Sequence, residues 1–346
     1  MNYADIAEKS IRGLALSEEE CHAILRTPEG EILTLLQAAF RVRETYFGRK
    51  VHLHLLINAK SGLCLENCAY CSQSAASQAA IEKYPLLEEE KLVKGAQVAK
   101  AAKAMRYCIV TSGVAPSKRE LARVCQAVKK IKQEIAINIC TSLGFLTESA
   151  ARALKEAGVD RYNHNLNASE SFYPEICTTH TYQDRLKTLK IARAAGLELC
   201  CGAIFGMGET ESGIVRLTFA FRELRPDSIP INFLHPISGT PLEKVNYLTP
   251  IRCLAILCLV RFLNPAAEIR VAGGREFNLR SLQPLCLYPA NSIFVSGYLT
   301  TSGQTPEEAW QMVRDMGFEV EQEITDGSNS SFGGIELEGG SLERWK

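Results

Sequence analysis

The sequence contains no long hydrophobic run. Its longest, "CLAILCLV" at 253–260, is far too short to cross a bilayer, which takes about 20 apolar residues. The first residues, "MNYADIAEKSIRG", mix charges and hold no apolar h-region, so no secretory leader is expected. Neither charge is in excess: 39 Lys and Arg balance 39 Asp and Glu, which argues against a nucleic-acid partner or an anionic membrane surface. A dinucleotide fingerprint is also missing. The glycines of "GAIFGMGE" (Gly202, Gly206, Gly208) and "AGGRE" (Gly273, Gly274) do not fit its spacing. They are expected instead at tight turns and where backbone approaches a ligand closely. The chain reads as soluble and cytoplasmic.

What is present is ordinary globular composition, 46% apolar and 23% charged over 346 residues, with one exception. Thirteen cysteines are many for the cytoplasm. Their number is odd, their spacing is irregular, and a chain this long needs no disulfide staples. Metal ligation or core packing is the better explanation for most of them.

Short apolar segments alternate with amphipathic helical ones. Strands are expected at 51–58, 106–113, 135–142, 160–167, 197–206, 228–235, 268–274 and 292–298. Between them, stretches such as "EEEKLVKGAQVAKAAKA" and "SKRELARVCQAVKKIKQE" place apolar residues at three- and four-residue intervals. "TESAARALKEAG" carries a Thr start and a Gly stop. Eight strand–helix repeats spanning 51–298, close to the roughly 250 residues of an eightfold β/α barrel, predict an α/β fold of the (β/α)8 TIM type. Residues 1–50 form an expected N-terminal helical extension, 51–305 the barrel and 306–346 a C-terminal extension. From about 326 that extension has the Gly/Ser-rich composition of a flexible tail.

Cys64, Cys68 and Cys71 lie together in "SGLCLENCAYCSQS", after the first strand and so on a loop of the barrel's active face. Three Cys with a histidine such as His52 or His54 could make a structural zinc site. The Cys-x3-Cys-x2-Cys spacing lacks paired Cys-x2-Cys halves, however, and suits a 4Fe–4S cluster with one iron left open. Cys108, Cys140 and the pair Cys200–Cys201 fall in strands 2, 3 and 5. Each alone is a small buried hydrophobe. Together, on strands that alternate residues into one interior, three thiols could form a second metal site, with either member of the Cys200–Cys201 pair facing inward. Arg270, flanked by Ile269 and Val271, is costly to bury without a partner, and a negatively charged cluster would be one. Asn163, Asn165 and Asn167 fall at alternate positions of strand 4, and Asn232 adds an amide from strand 6. Such groups suit a ligand with an amide or urea edge.

The first motif, with the aromatic Tyr70 before its last Cys, resembles the signature of radical S-adenosylmethionine enzymes. The stretches "CLENCAYCSQS", "YCIVTSG", "YNHNLNAS", "CCGAIFGMGET", "DSIPINFLHPISGTPLE", "IRVAGGRE", "NLRSLQPL" and "ANSIFVSGYLTT" run in order over 64–301. They resemble the biotin synthase family. The resemblance implies a sulfurtransferase that closes the thiophane ring of biotin by inserting sulfur between C6 and C9 of dethiobiotin, the last step of biotin biosynthesis. It implies a 4Fe–4S cluster on Cys64, Cys68 and Cys71 and a sulfur-donating 2Fe–2S cluster on Cys108, Cys140, Cys200 and Arg270. S-adenosylmethionine would lie against Tyr70, Asn165 and Asn167, and dethiobiotin against Asn165 and Asn232, with no catalytic residue beyond the cluster ligands. Implied partners are a reducing donor such as flavodoxin or ferredoxin, the iron–sulfur assembly machinery and a second copy in a homodimer. The chain departs from the family's common pattern in Cys201, often a small polar residue, in Asn167, often Asp, and in the extra thiol Cys286. Alternatives are a hydrogenase-maturase-like or methylornithine-synthase-like radical enzyme, or a non-catalytic iron–sulfur or zinc scaffold.

Overall fold

The computed structural model describes residues 1–321; the tail expected to be flexible from about 326 lies outside the described residues. Its strands are β1 (Lys50–Lys60), β2 (Arg106–Thr111), β3 (Asn138–Ser142), β4 (Arg161–Asn163), β5 (Glu198–Cys200), β6 (Ala203–Phe205), β7 (Ser228–Phe233), β8 (Glu268–Val271), β9 (Ser292–Phe294) and β10 (Glu319–Val320). All pairings between them are parallel, and β9 pairs back onto β1. With β5 and β6 forming one interrupted stave, the result is a closed barrel of eight, as the strand–helix alternation predicts. β10 adds a short parallel pairing at the start of β1.

Helices α1 (Tyr3–Ile11), α2 (Glu18–Leu25) and α3 (Ile32–Phe47) precede the barrel. Its outer layer begins with α4 (Glu89–Ala101), α5 (Lys118–Glu134), α6 (Glu148–Ala157), the single turn α7 (Tyr173–Ile176) and α8 (Tyr182–Ala194). It continues with α9 (Glu211–Leu224), α10 (Pro250–Leu263), α11 (Arg275–Leu279) and α12 (Pro306–Asp315). The start and stop signals act as expected. Thr147 caps α6 by accepting from the Ala150 amide, and Gly158 ends it at φ 101°, a left-handed conformation open to glycine. Ser117 and Glu120 close a capping box at α5, which buries Val124, Ala127, Val128 and Ile131 along one stripe. The run "CLAILCLV" lies inside α10, where every residue from Cys253 to Leu263 is buried. A helix apolar on all sides needs cover on all sides, and α1, α2 and α3 pack over its outer face.

Strand 5 is split, and the reason is local. Pro230 sits in the fully buried β7 and has no amide to give to a ladder. The pairing resumes from Cys200 opposite Ser228 to Ala203 opposite Ile231, skipping Gly202. A Cβ on Gly202 would lie 1.8 Å from the Pro230 carbonyl oxygen, so only glycine lets the two backbones approach this closely. Gly202→Ala is expected to cost about 3 kcal/mol, the upper part of the range for overpacking a rigid site. Chemical denaturation checks it against Gly30→Ala, where nothing lies within 4 Å; equal stability of the two variants would refute the packing argument.

Candidate active site

β1 ends at Lys60, and the chain then folds over the barrel mouth carrying the first three thiols. The loop is tied down through its backbone. Ala75 donates to the Glu66 carbonyl (2.8 Å), Ala69 to that of Ile176 (2.9 Å) and Gln78 to that of Gly239 (2.7 Å). Asn67 fixes its tip: Oδ1 accepts from the Thr178 amide at 3.0 Å and Nδ2 donates to the Thr178 hydroxyl at 2.7 Å. Cys68 is buried, while Cys64 and Cys71 are half-buried. All three border a cavity of about 300 Å³ that runs down into the barrel.

The second thiol set lines the deeper part of the same cavity. Cys108 on β2 and Cys140 on β3 are register partners, and Cys200 ends β5. With Ala272 and Phe294 they form a buried cluster separate from the main core. Register resolves the ambiguity between neighbours: Cys200 joins this cluster, while Cys201 and Cys286 pack into the main apolar core. A hydrogen bond from Cys140 holds the Cys108 thiol below its ordinary value, against burial. That same bond is the main cause pushing Cys140 up to about 12. Three buried thiols side by side cannot all ionise without a cation. The donor set therefore fits a soft metal centre.

Arg270 closes this floor. Its Nε donates to Ser292 Oγ (3.1 Å), and Nη2 donates to Ser228 Oγ (2.9 Å) and Glu268 Oε1 (2.5 Å). Nη1 is 3.7 Å from Cys200 Sγ. Glu268 in turn accepts from Arg161 Nη1 at 2.7 Å and faces His54 Nε2 at 2.9 Å. His52 and His54 thus stand at the barrel floor, away from Cys64, Cys68 and Cys71; the histidine beside those thiols is His180.

The expectation for strand 4 is met only in part. β4 ends at Asn163, so Asn165 and Asn167 lie on the segment after it, and Asn167 has φ 66°, which asparagine tolerates. All three still border the cavity. Asn163 Nδ2 donates to Cys200 Sγ at 3.1 Å and to Asn165 Oδ1 at 3.1 Å. Asn165 Oδ1 also accepts from the Gly202 amide at 3.0 Å. Asn232 is braced at both ends, donating to the Ala203 carbonyl and accepting from the Gly273 amide, each at 2.9 Å. Tyr70 meets Asn167, whose Nδ2 donates to the phenol oxygen at 2.5 Å.

Residues not anticipated from the sequence complete the wall. Arg185 Nη1 donates to the Asn165 carbonyl (2.9 Å), its Nη2 to His180 Nε2 (3.0 Å), and its Nε to the Tyr173 hydroxyl. Cys177 sits against Cys68, 3.8 Å between sulfurs. Its thiol is pulled down to about 3, first by the hydrogen bond from Cys68, against burial, with help from His180 and Thr179. Glu268 did have a sequence signal: it precedes Arg270 by two, on the same strand face.

A closed parallel barrel with three thiols on the loop after its first strand defines the class. Residues 60–219 match the Radical SAM superfamily and residues 230–319 the Biotin and Thiamin Synthesis associated domain. The chain is a radical S-adenosylmethionine enzyme, a class built around an iron–sulfur cluster and S-adenosylmethionine. It is 52% identical to the biotin synthase of Geobacillus thermodenitrificans over 92% of this chain and 96% of that one. With the biotin synthase of Bacillus subtilis the identity is 50%, over 92% and 95%. The chain belongs to the biotin synthase family. Crystallographic methylornithine synthase shares the fold at a TM-score of 0.79 and 19% identity, over 92% of this chain and 97% of that one. The FeFe-hydrogenase maturase of Carboxydothermus hydrogenoformans shares it at 0.76 and 19%, over 91% and 78%. Among the described residues no helix is long and apolar enough to cross a membrane.

Proposed function

We propose that the chain inserts sulfur between C6 and C9 of dethiobiotin, with Cys64, Cys68 and Cys71 holding a 4Fe–4S cluster and Cys108, Cys140, Cys200 and Arg270 holding a 2Fe–2S cluster. The observation that carries this reading is that both thiol sets border one cavity. When bound, the two clusters supply the electron that splits S-adenosylmethionine into a hydrogen-abstracting radical and the sulfur that enters the product.

The chain's own groups position the reactants. Asn165 cannot flip its amide, because Oδ1 is held by the Gly202 amide and Asn163. Nδ2 is therefore the end offered to the cavity, as a donor to the carbonyl of a ureido ring. Asn232, fixed at both ends, forms a second rigid point of that wall. Tyr70 and Asn167, bonded to each other, offer an aromatic face and an amide oxygen to the nucleoside part of S-adenosylmethionine. Two serines and Glu268 occupy Nε and Nη2 of Arg270, so Nη1 is the nitrogen presented to the thiols. Substrate held in such a chamber reacts with a neighbour rather than with a diffusing reagent, an advantage equivalent to effective molarities of about 10⁵ M or more.

The test is anaerobic reconstitution with iron and heavy-isotope sulfide, followed by dethiobiotin, S-adenosylmethionine and a reductant. The expected product is biotin carrying the heavy isotope, at roughly one per chain or fewer, as a single local donor dictates. Cleavage of S-adenosylmethionine without biotin would point to another radical barrel enzyme, and iron without cleavage to a scaffold; either overturns the reading. Within the second site, a guanidinium is a strong counter-charge but a poor metal ligand. Arg270→Met is therefore expected to retain iron with a shifted absorption spectrum, whereas Cys140→Ser loses most of it. A spectrum identical to the parent's would mean that Arg270 does not touch the bound group.

A further inference from the structure

The turn after α7 brings a different donor set against the cysteine loop. Cys177 Sγ lies 3.8 Å from Cys68 Sγ, 3.4 Å from His180 Nδ1 and 3.7 Å from His180 Nε2. One donor atom from each of the three residues lies within 4.8 Å of the other two, and all three side chains are buried. Zinc bonds sulfur at about 2.3 Å and nitrogen at about 2.0 Å. A tetrahedron built on those lengths has edges of about 3.8 Å between two sulfurs and about 3.5 Å between sulfur and nitrogen. The 3.8 Å between the sulfurs equals the first edge, and the 3.7 Å from Cys177 Sγ to His180 Nε2 lies within about 0.2 Å of the second.

The surroundings match as well. Glu66 Oε2 accepts from His180 Nδ1 at 2.7 Å. A carboxylate on the far nitrogen is the arrangement that fixes the tautomer and orientation of a metal-bound imidazole, and it leaves the Nε2 lone pair to be given. That lone pair now accepts from the Tyr173 hydroxyl (2.8 Å) and from Arg185 (3.0 Å), two donors that a cation must displace. Charges balance when it does: two thiolates neutralise the ion, and Glu66 neutralises Arg185.

We propose that the protein lacking its clusters binds one thiophilic divalent cation, with zinc as the type case, through Cys68, Cys177 and His180. This site overlaps the three-cysteine loop in Cys68 alone. Given the cluster assignment above, zinc and the 4Fe–4S cluster compete for that thiol, so a loaded zinc site keeps the loop from accepting its cluster. The zinc site itself does not depend on that assignment.

Zinc bound by cluster-free full-length protein is counted by competition with a chromophoric chelator, in the parent and in Cys177→Ala, His180→Ala and Cys64→Ala. Zinc held by the barrel thiols is common to all four. Parent and Cys64→Ala are expected to bind one equivalent more than Cys177→Ala, and His180→Ala to bind that equivalent at least tenfold more weakly. Cobalt in the parent is expected to give tetrahedral thiolate bands that Cys177→Ala lacks. Zinc added first is expected to slow iron–sulfur reconstitution of the parent and not of Cys177→Ala. Equal zinc in parent and Cys177→Ala would overturn the proposal, as would loss of the same equivalent in Cys64→Ala, which would place the ion on the three-cysteine motif. Iron bound by the parent without zinc is measured separately, so failure of the cluster assignment is distinguishable.

Discussion

Cys64→Ala is expected to abolish cleavage of S-adenosylmethionine while leaving iron–sulfur absorbance from the barrel thiols. The two thiol sets belong to different parts of the molecule. Cys68, with Cys71 packed beside it, is part of the main apolar core, whereas Cys108, Cys140 and Cys200 form their own cluster with Ala272 and Phe294. The loop holding Cys64 is tied to the body through the Glu66 carboxylate, the Asn67 side chain, the Cys68 thiol and the Ala69 amide rather than through Cys64. It therefore keeps its path when the Cys64 thiol is removed. Loss of a ligand from a three-thiolate site leaves too few bonds to hold its group. Iron and acid-labile sulfide measured beside 5′-deoxyadenosine formation decide the matter. Loss of all iron from a folded variant would show that the two sites are not independent.

The barrel was legible because its signals are local. Each strand announces itself within ten residues or fewer, and helices such as α5 and α6 carry their own cap and stripe. The cysteine loop was legible for the same reason: its ligands lie within one short stretch. The end of β4 was not, because Asn165 and Asn167 keep the alternation of a strand beyond its continuous ladder. The Gly202 amide, more than 30 residues away in the chain, donates to the Asn165 side chain, and pairing resumes only as an isolated parallel bridge between Asn167 and Ala203. The Cys177–His180–Arg185 wall was missed likewise. It acquires meaning only when α7 packs under a loop about 110 residues earlier. The choice between Cys200 and Cys201 needed the register that Pro230 and Gly202 impose, a packing fact with no periodic trace.

Glu268→Ala is expected to lower the free energy of unfolding by about 3–5 kcal/mol, the range for removing one partner of a buried ion pair. Burial works against the Glu268 carboxylate, but the charges of Arg270 and Arg161 win and hold its pKa well below the ordinary carboxylate range. It is the hub of the barrel floor, accepting from Arg270 Nη2 at 2.5 Å and from Arg161 Nη1 at 2.7 Å. Arg270 is 1% exposed and Arg161 6%, so neither guanidinium can turn to bulk water when the carboxylate goes. Arg161 keeps Glu198 Oε2 at 2.8 Å. Arg270 keeps serine hydroxyls, the Cys200 sulfur at 3.7 Å and the Phe294 ring, 5.0 Å from its Cζ; burial keeps the Cys200 thiol protonated, so none of these carries a countercharge. The penalty therefore falls mainly on Arg270, and the double variant Glu268→Ala/Arg270→Met is expected to recover part of the loss, because it removes the stranded charge along with its partner. Urea denaturation of cluster-free protein measures all three chains in the absence of metal. A loss below about 1 kcal/mol in Glu268→Ala, the scale of an exposed pair, would show that water reaches the floor. No recovery in the double variant would show that Arg161, rather than Arg270, carries the cost.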